Sequence, residues 1–211
     1  MGRYIGPACK RCRRLGIKLF LKGDRCKMAK CPMEKDSVSI PGQHGGKGSR
    51  RPRLKDYGIQ LQEKQRLRTM NGMQEGQFRL FFQLALRARR VTGELLLQAL
   101  ELRLDNIVFR MGAAPSRRAA RQFVRHGHVR VNGVKVNIPS YKTKAGDVIE
   151  VRDAKQSRAY AQPHLEAAET LVPAWLSLDK GAFKAEVLHV PTREELSPAV
   201  NEQLIVELYS K

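Results

Sequence analysis

The stretch from Arg103 to Val151, RLDNIVFRMGAAPSRRAARQFVRHGHVRVNGVKVNIPSYKTKAGDVIEV, leaves the chain few ways to fold. Leu104, Ile107, Val108 and Met111 recur at helical spacing, and Gly112 follows where a left-handed cap ends a helix. Ser116 can accept from the first free N–H groups of a second helix, which Gly127 stops about three turns later. Val129 to Val136 then alternates valine with basic or turn residues around Asn132-Gly133. A type I′ turn needs positive φ at both central positions, which Asn-Gly accepts readily, so a hairpin is predicted. Its valines share one face, towards the helices, and Arg130 and Lys135 share the other. Ala145-Gly146-Asp147 turns the chain into a further strand, Val148–Val151. The fold class is α+β, with two helices packed on a small, mostly antiparallel sheet.

In the second helix Ala120, Phe123 and Val124 make one apolar stripe, while Arg117, Arg118, Arg121 and Arg125 occupy the other faces. No carboxylate lies between Asp105 and Asp147. Closely spaced guanidiniums repel, and a solvated face would normally interleave acids. The pattern therefore predicts a phosphate-facing helix, with a charged solvated face as the alternative. His126 and His128 have no nearby acid in sequence and read as helix-end or phosphate contacts rather than metal ligands.

Composition points the same way. Forty Lys and Arg against twenty Asp and Glu give a net charge of +20 and a pI near 10.4, which favours a polyanion and above all nucleic acid. The first 55 residues carry sixteen basic residues against three acidic, and the last sixty carry seven against nine. No apolar run approaches the roughly eighteen residues that span a bilayer, and MGRYIGPACKRC lacks a signal-peptide core. A cytosolic chain without a membrane partner is expected.

All four cysteines lie early, as Cys9-Lys-Arg-Cys12 and Cys26-Lys-Met-Ala-Lys-Cys31. Two such knuckles can bring four thiolates onto one metal, and disulfides are disfavoured in a cytosolic chain. Zinc suits a tetrahedral four-thiolate site, and an iron–sulfur cluster is the alternative. The segment has few large apolar residues, so a metal would supply most of its fold. Pro41 to Ser49, PGQHGGKGS, is not a phosphate loop: its spacing is short and no Ser or Thr follows the lysine. It reads as a flexible linker delivering Lys47, Arg50, Arg51, Arg53 and Lys55 to RNA phosphates.

Helices are predicted from Asp56 to about Met70, from about Gln74 to Arg90 with Phe78, Phe81, Phe82 and Ala85 on its apolar face, and from Thr92 onward. These three can pack as a small bundle. Further on, a helix is expected near Ala161 to Leu171, starting around Pro163. Short strands follow at Trp175–Leu178 and Phe183–Val190, then a helical turn at Thr192–Glu195 and a last helix capped by Asn201.

LDNIVFRMG, SRRAARQFVRHGH, VNG, IPSY and the Gly-Asp before the last strand resemble the RNA-binding module named after ribosomal protein S-4. PGQHG, RPRLKDYG, QLQEKQRLR, QFRLFF and the terminal VNEQLIVELYSK extend the likeness to the bacterial S-4 family over nearly the whole chain. The resemblance implies a non-enzymatic constituent of the small ribosomal subunit that binds the 5′ domain of its RNA at a multi-helix junction, early in assembly. Ribosomal protein S-5 as neighbour, nearness to incoming mRNA, a part in translational accuracy, and a single copy per ribosome in the cytoplasm follow from it. Three domains are expected: residues 1–45, residues 46–92 completed by about 192–211, and residues 93–191 around the 103–151 module. The module's RNA-facing set would be Arg110, Ser116, Arg117, Arg118, Arg121, Arg125, His126, His128, Arg130, Asn132, Lys135 and Tyr141. No nucleophile, zincin or dinucleotide motif is present, so no catalysis is expected. The same module in an off-ribosome regulatory RNA-binding protein is the alternative.

Overall fold

The computed structural model describes residues 4–35, 38–43, 45, 53–88, 90–167, 172–196 and 200–210. In chain order the elements are α1 (Ala8–Leu15), a 3-10 turn (Gly23–Cys26), α2 (Asp56–Met70), α3 (Glu75–Arg87), α4 (Thr92–Glu101), α5 (Leu104–Arg110), α6 (Arg117–Arg125), β1 (Val129–Val131), β2 (Val134–Lys135), β3 (Val148–Val151), α7 (Lys155–Glu166), β4 (Leu176–Asp179), β5 (Lys184–Val187) and α8 (Glu202–Tyr209). They form two compact units, Met1–Ala88 with Pro198–Lys211, and Arg89–Ser197. The third predicted helix, α4, therefore belongs to the second unit and not to a bundle with α2 and α3.

In the first unit Cys12, Leu15 and Leu19 make a small core against which Ile17, Leu21, Met33 and Met70 pack. The amino-terminal segment thus has an apolar core of its own, which its sparse large side chains did not suggest. Gln62 Nε2 donates to the Leu15 carbonyl at 2.7 Å, satisfying a free group at the end of α1. The buried residues of α2 are mostly polar: Gln60, Glu63 and Lys64, with Leu67. Burial of such groups requires partners, and α8 and α3 supply them. Gln60 Nε2 donates to Glu207 at 2.9 Å, the Asn201 N–H donates to Glu63 at 3.2 Å, and Lys64 Nζ and the Tyr209 hydroxyl both donate to Glu75 Oε1. Tyr209 also stacks on Phe82 with ring centroids 4.4 Å apart.

The second unit is built on one antiparallel sheet in the order β2-β1-β3-β5-β4. It is larger than predicted, because the strands after α7 join the module's own. Ile107 and Val108 of α5, Ala120, Phe123 and Val124 of α6, and Ala161 and Leu165 of α7 share one core with Val129, Val131, Ile149, Val151, Ala185 and Val187. The module's two helices, α5 and α6, are joined by α7 in packing against this sheet. Helix α7 starts at Lys155, eight residues before Pro163, which lies inside it; the predicted end at Leu171 falls outside the described residues.

Local signals held where they were local. Gly112 and Gly127 take φ of 85° and 76°, and Asn132 and Gly133 take 51° and 79°, as a type I′ turn requires. Ser116 Oγ accepts from Ala119 N–H at 3.3 Å, and Asn201 Oδ1 accepts from Gln203 N–H at 3.0 Å. Val131 and Val134 are cross-strand partners, as are Arg130 and Lys135, so the faces divide as expected. Val134, on the edge strand, is nevertheless exposed.

Candidate nucleic-acid interface

Four arginines in and beside the module have carboxylate partners. Arg103, 1% exposed, forms a fork on Asp105, with Nε to Oδ1 at 3.0 Å and Nη2 to Oδ2 at 2.7 Å. Arg121 Nη1 donates to the same Oδ2 at 3.1 Å. Arg110 forms a second fork on Glu101, with both bonds 2.9 Å. Arg117 donates from Nε to Asn106 Oδ1 at 2.6 Å, reaches Glu101 at 3.5 Å, and lies 4.7 Å over the Phe109 ring. Four guanidiniums thus share two carboxylates that precede the helix in sequence. The counter-charges that the sequence reading found missing are thus present for Arg110, Arg117 and Arg121, which enter an internal network joining α4, α5 and α6. Burial alone would raise the Glu101 carboxyl, but Arg110 and Arg117 overcome it and hold its pKa below the ordinary 4.5.

Backbone geometry explains why Asp105 and Asn106 sit where they do. Helix α5 has no side-chain cap; instead the Leu104 and Asp105 N–H groups donate to the carbonyls of Tyr141 and Pro139, at 2.9 and 3.1 Å. Thr143, fully buried, returns its N–H and its hydroxyl to the Leu102 carbonyl, both at 2.9 Å. The LDN and IPSY segments therefore interlock. Tyr141 contributes its main chain to that lock and leaves its ring exposed. Asn132 likewise serves the fold, since its side chain donates to Asp147 at 3.0 Å and accepts from Val148 N–H at 2.9 Å. Ser116 is buried and spends its hydroxyl on the cap of α6.

Outward-facing cations gather instead around Gly127. Lys135 passes so close to it that a Cβ at 127 would lie 2.4 Å from Lys135 Cε. Arg125, His126 and Lys135 are exposed, Arg118, Arg130 and His128 are half-buried, and Arg152, which the sequence did not single out, is exposed beside them. Across the sheet, pairing aligns Lys135, Arg130, Glu150, Lys184 and Asp179 in one row. Lys184 Nζ meets Glu150 at 3.1 Å, so the row is neutralised in its middle and stays cationic at the hairpin end. Burial, then His126, Arg152 and Lys135, hold the His128 imidazole below the ordinary 6.5, and its Nδ1 lies 2.9 Å from the buried Ser157 hydroxyl.

Of the predicted linker contacts, Arg53 and Lys55 are exposed ahead of α2, while Lys47, Arg50 and Arg51 lie outside the described residues. Cys12, Cys26 and Cys31 are buried and Cys9 is half-buried. Burial raises the Cys12 thiol, Leu19 N–H opposes that, and Cys26, Cys9 and Cys31 add to it. Lys22 N–H donates to Cys26 Sγ at 3.4 Å. Their donor chemistry suits a thiolate metal site, yet among the described residues no three His, Cys, Asp or Glu side chains are arranged to hold a metal ion.

Residues 3–101 match the family described as Ribosomal protein S4/S9 N-terminal domain, and residues 102–149 match the S4 domain. Over the full length of both chains, the sequence is 51% identical to small ribosomal subunit protein uS4 of Acidithiobacillus ferrooxidans. The chain belongs to this family. Identity is 51% to uS4A of Symbiobacterium thermophilum and 50% to uS4 of Thermus thermophilus, again over all of each chain. It is a family of structural ribosomal proteins, not of enzymes. The two family matches meet between Glu101 and Leu102, so the ion pairs of Glu101 with Arg110 and Arg117 tie one to the other. Among the described residues no helix is long and apolar enough to cross a membrane.

Proposed function

We propose that the chain is built into the small ribosomal subunit by binding the 5′ domain of its ribosomal RNA early in assembly, holding a multi-helix junction in one geometry. The observation that carries this is the cationic surface of Arg125, Arg130, Lys135 and Arg152 around Gly127, mounted on a core shared by three helices and the antiparallel sheet. Arg118, Arg53 and Lys55 add further phosphate contacts. Recognition is of shape, since A-form RNA hides its base edges in a deep, narrow major groove. Adjacency to ribosomal protein S-5, nearness to incoming mRNA and a contribution to accuracy belong to the same reading, as do a cytoplasmic location and a single copy per ribosome. Sucrose-gradient sedimentation of the endogenous protein tests it: comigration with the small subunit is expected. Free or large-subunit migration would favour an off-ribosome regulatory role, for which the described residues offer no particular feature.

The reading extends to Cys9, Cys12, Cys26 and Cys31 as ligands of a structural metal, zinc or an iron–sulfur cluster. Its support is the pairing of the cysteines in two knuckles of the sequence, with a backbone donor aimed at Cys26. A chelator should make residues 1–40 susceptible to limited proteolysis while residues 103–151 stay resistant. Visible absorption separates the two, because zinc is colourless. Proteolysis unaffected by metal removal would count against any metal.

A further inference from the structure

Five rings from α6, the turn after it and α7 form a continuous ladder on the second unit. Phe123, 5% exposed, has His128 at 4.9 Å and Tyr160 at 5.2 Å between centroids, each within 26° of parallel. His164 meets Tyr160 edge-on at 5.4 Å and 71°, and His126 lies 6.1 Å from His128. Core packing accounts for Phe123 but not for the rest. Tyr160 is 40% exposed, His126 is exposed, and His128 and His164 are half-buried. An aromatic side chain held against another ring, with much of its surface in water, is organised for a further flat partner.

We infer that Tyr160, backed by Phe123 and flanked by His128 and His164, is a stacking shelf for one unpaired base of a bound RNA strand. This rests on the RNA-binding function proposed above and names the chemistry of one of its contacts. Arg125, Lys135 and Arg152 stand at the His126–His128 end of the ladder, where they meet the phosphates of the same strand. The nearby acids do not oppose an anion there: Asp153 pairs with Arg158 at 3.2 Å and Glu150 with Lys184 at 3.1 Å. His128, stacked on Phe123 and held 2.9 Å from the Ser157 hydroxyl, offers the face of its ring. Stacking of a base on an aromatic side chain is tolerant of sequence, whereas the surrounding cations supply the salt-dependent part of binding. Only single-stranded or bulged RNA presents a free base face, so the shelf distinguishes unpaired segments from duplex.

The test uses the full chain with three probes: a transcript of the small-subunit ribosomal RNA 5′ domain, a short single-stranded oligo(A), and a duplex RNA of equal length. Tyr160→Leu keeps the apolar bulk against Phe123 and removes the ring. It should weaken oligo(A) binding about fivefold or more, with an unchanged salt slope and unchanged duplex binding. Tyr160→Phe should stay within about twofold of the parent. Ultraviolet crosslinking of the wild-type chain to the transcript should join RNA to the peptide carrying Tyr160. Parent-like oligo(A) binding by Tyr160→Leu, or no crosslink within residues 123–164, overturns the shelf while leaving transcript binding, and so the proposed function, intact. Should Tyr160→Leu fail to fold, the crosslink alone decides. A wild-type chain that does not bind the transcript defeats both.

Discussion

Asp105 accepts two bonds from a fully buried arginine and a third from Arg121, so its loss strands two guanidiniums. Removing one member of a buried ion pair typically costs about 3–5 kcal/mol, most of it the penalty of the abandoned partner. Asp105→Ala should therefore lower the urea midpoint by a corresponding amount, and Arg125→Ala, on the surface, should shift stability by no more than about 0.5 kcal/mol. Equal effects would mean that Arg103 finds water or another acceptor. Glu101 makes a second, pH-dependent prediction. Its folded pKa lies below the ordinary 4.5, so its stabilisation is present above that value and is lost as pH falls through the folded value. Unfolding free energy measured from about pH 5 downwards should fall more steeply for the parent than for Glu101→Gln. The acids of this network were the part of the module least visible in sequence. Asp105 and Glu101 stand twelve or more residues before the arginines of α6, and only the approach of α4, α5 and α6 brings them together.

Helix α7 shows how an element can defy a positional rule. Pro163 reads as a helix start, yet the helix begins at Lys155, because Ser157, Ala161 and Leu165 form a buried stripe that spans the proline. Pro163 can give no N–H to the carbonyl four residues back, at Ala159, and the tertiary contacts of that stripe outweigh the loss. Since Pro163 and Ala159 are both exposed, Pro163→Ala restores the missing bond without disturbing the core. It should stabilise the chain by up to about 3 kcal/mol, read as a raised urea midpoint; a destabilised variant would show that the ring packs usefully. By contrast, the Gly112 and Gly127 stops, the Ser116 and Asn201 caps and the Asn132-Gly133 turn were legible, because each depends on atoms within a few residues of itself. Strands β4 and β5 were legible as strands, but not as an extension of the module's sheet, because pairing partners far apart in sequence leave no local mark. For the same reason Lys135, Arg130 and Arg125 were found as cations, while Arg152 and the alignment of Tyr160 with Phe123 and His128 were not.

At the scale of the molecule, a net charge of +20 makes affinity for any polyanion certain to depend on salt, and the useful question is which charges respond. Arg103, Arg110, Arg117 and Arg121 already have carboxylate partners within the second unit, and Lys64 and Arg68 have Glu75 within the first. A phosphate that recruited one of these would have to break an existing pair, which cancels much of the gain. Arg125, Lys135 and Arg152 carry no such cost on their exposed surface. Arg125→Ala combined with Lys135→Ala should therefore reduce the slope of log affinity against log salt by about 0.7–0.9 for each phosphate no longer neutralised, at unchanged stability. Arg117→Ala combined with Arg121→Ala should instead lower stability first and move the slope less, since those cations hold helices together before they hold RNA. Filter binding to the 5′-domain transcript across a salt series measures both. A full slope change from the second pair and none from the first would put the RNA on the α5–α6 face, with the internal network opening to receive it.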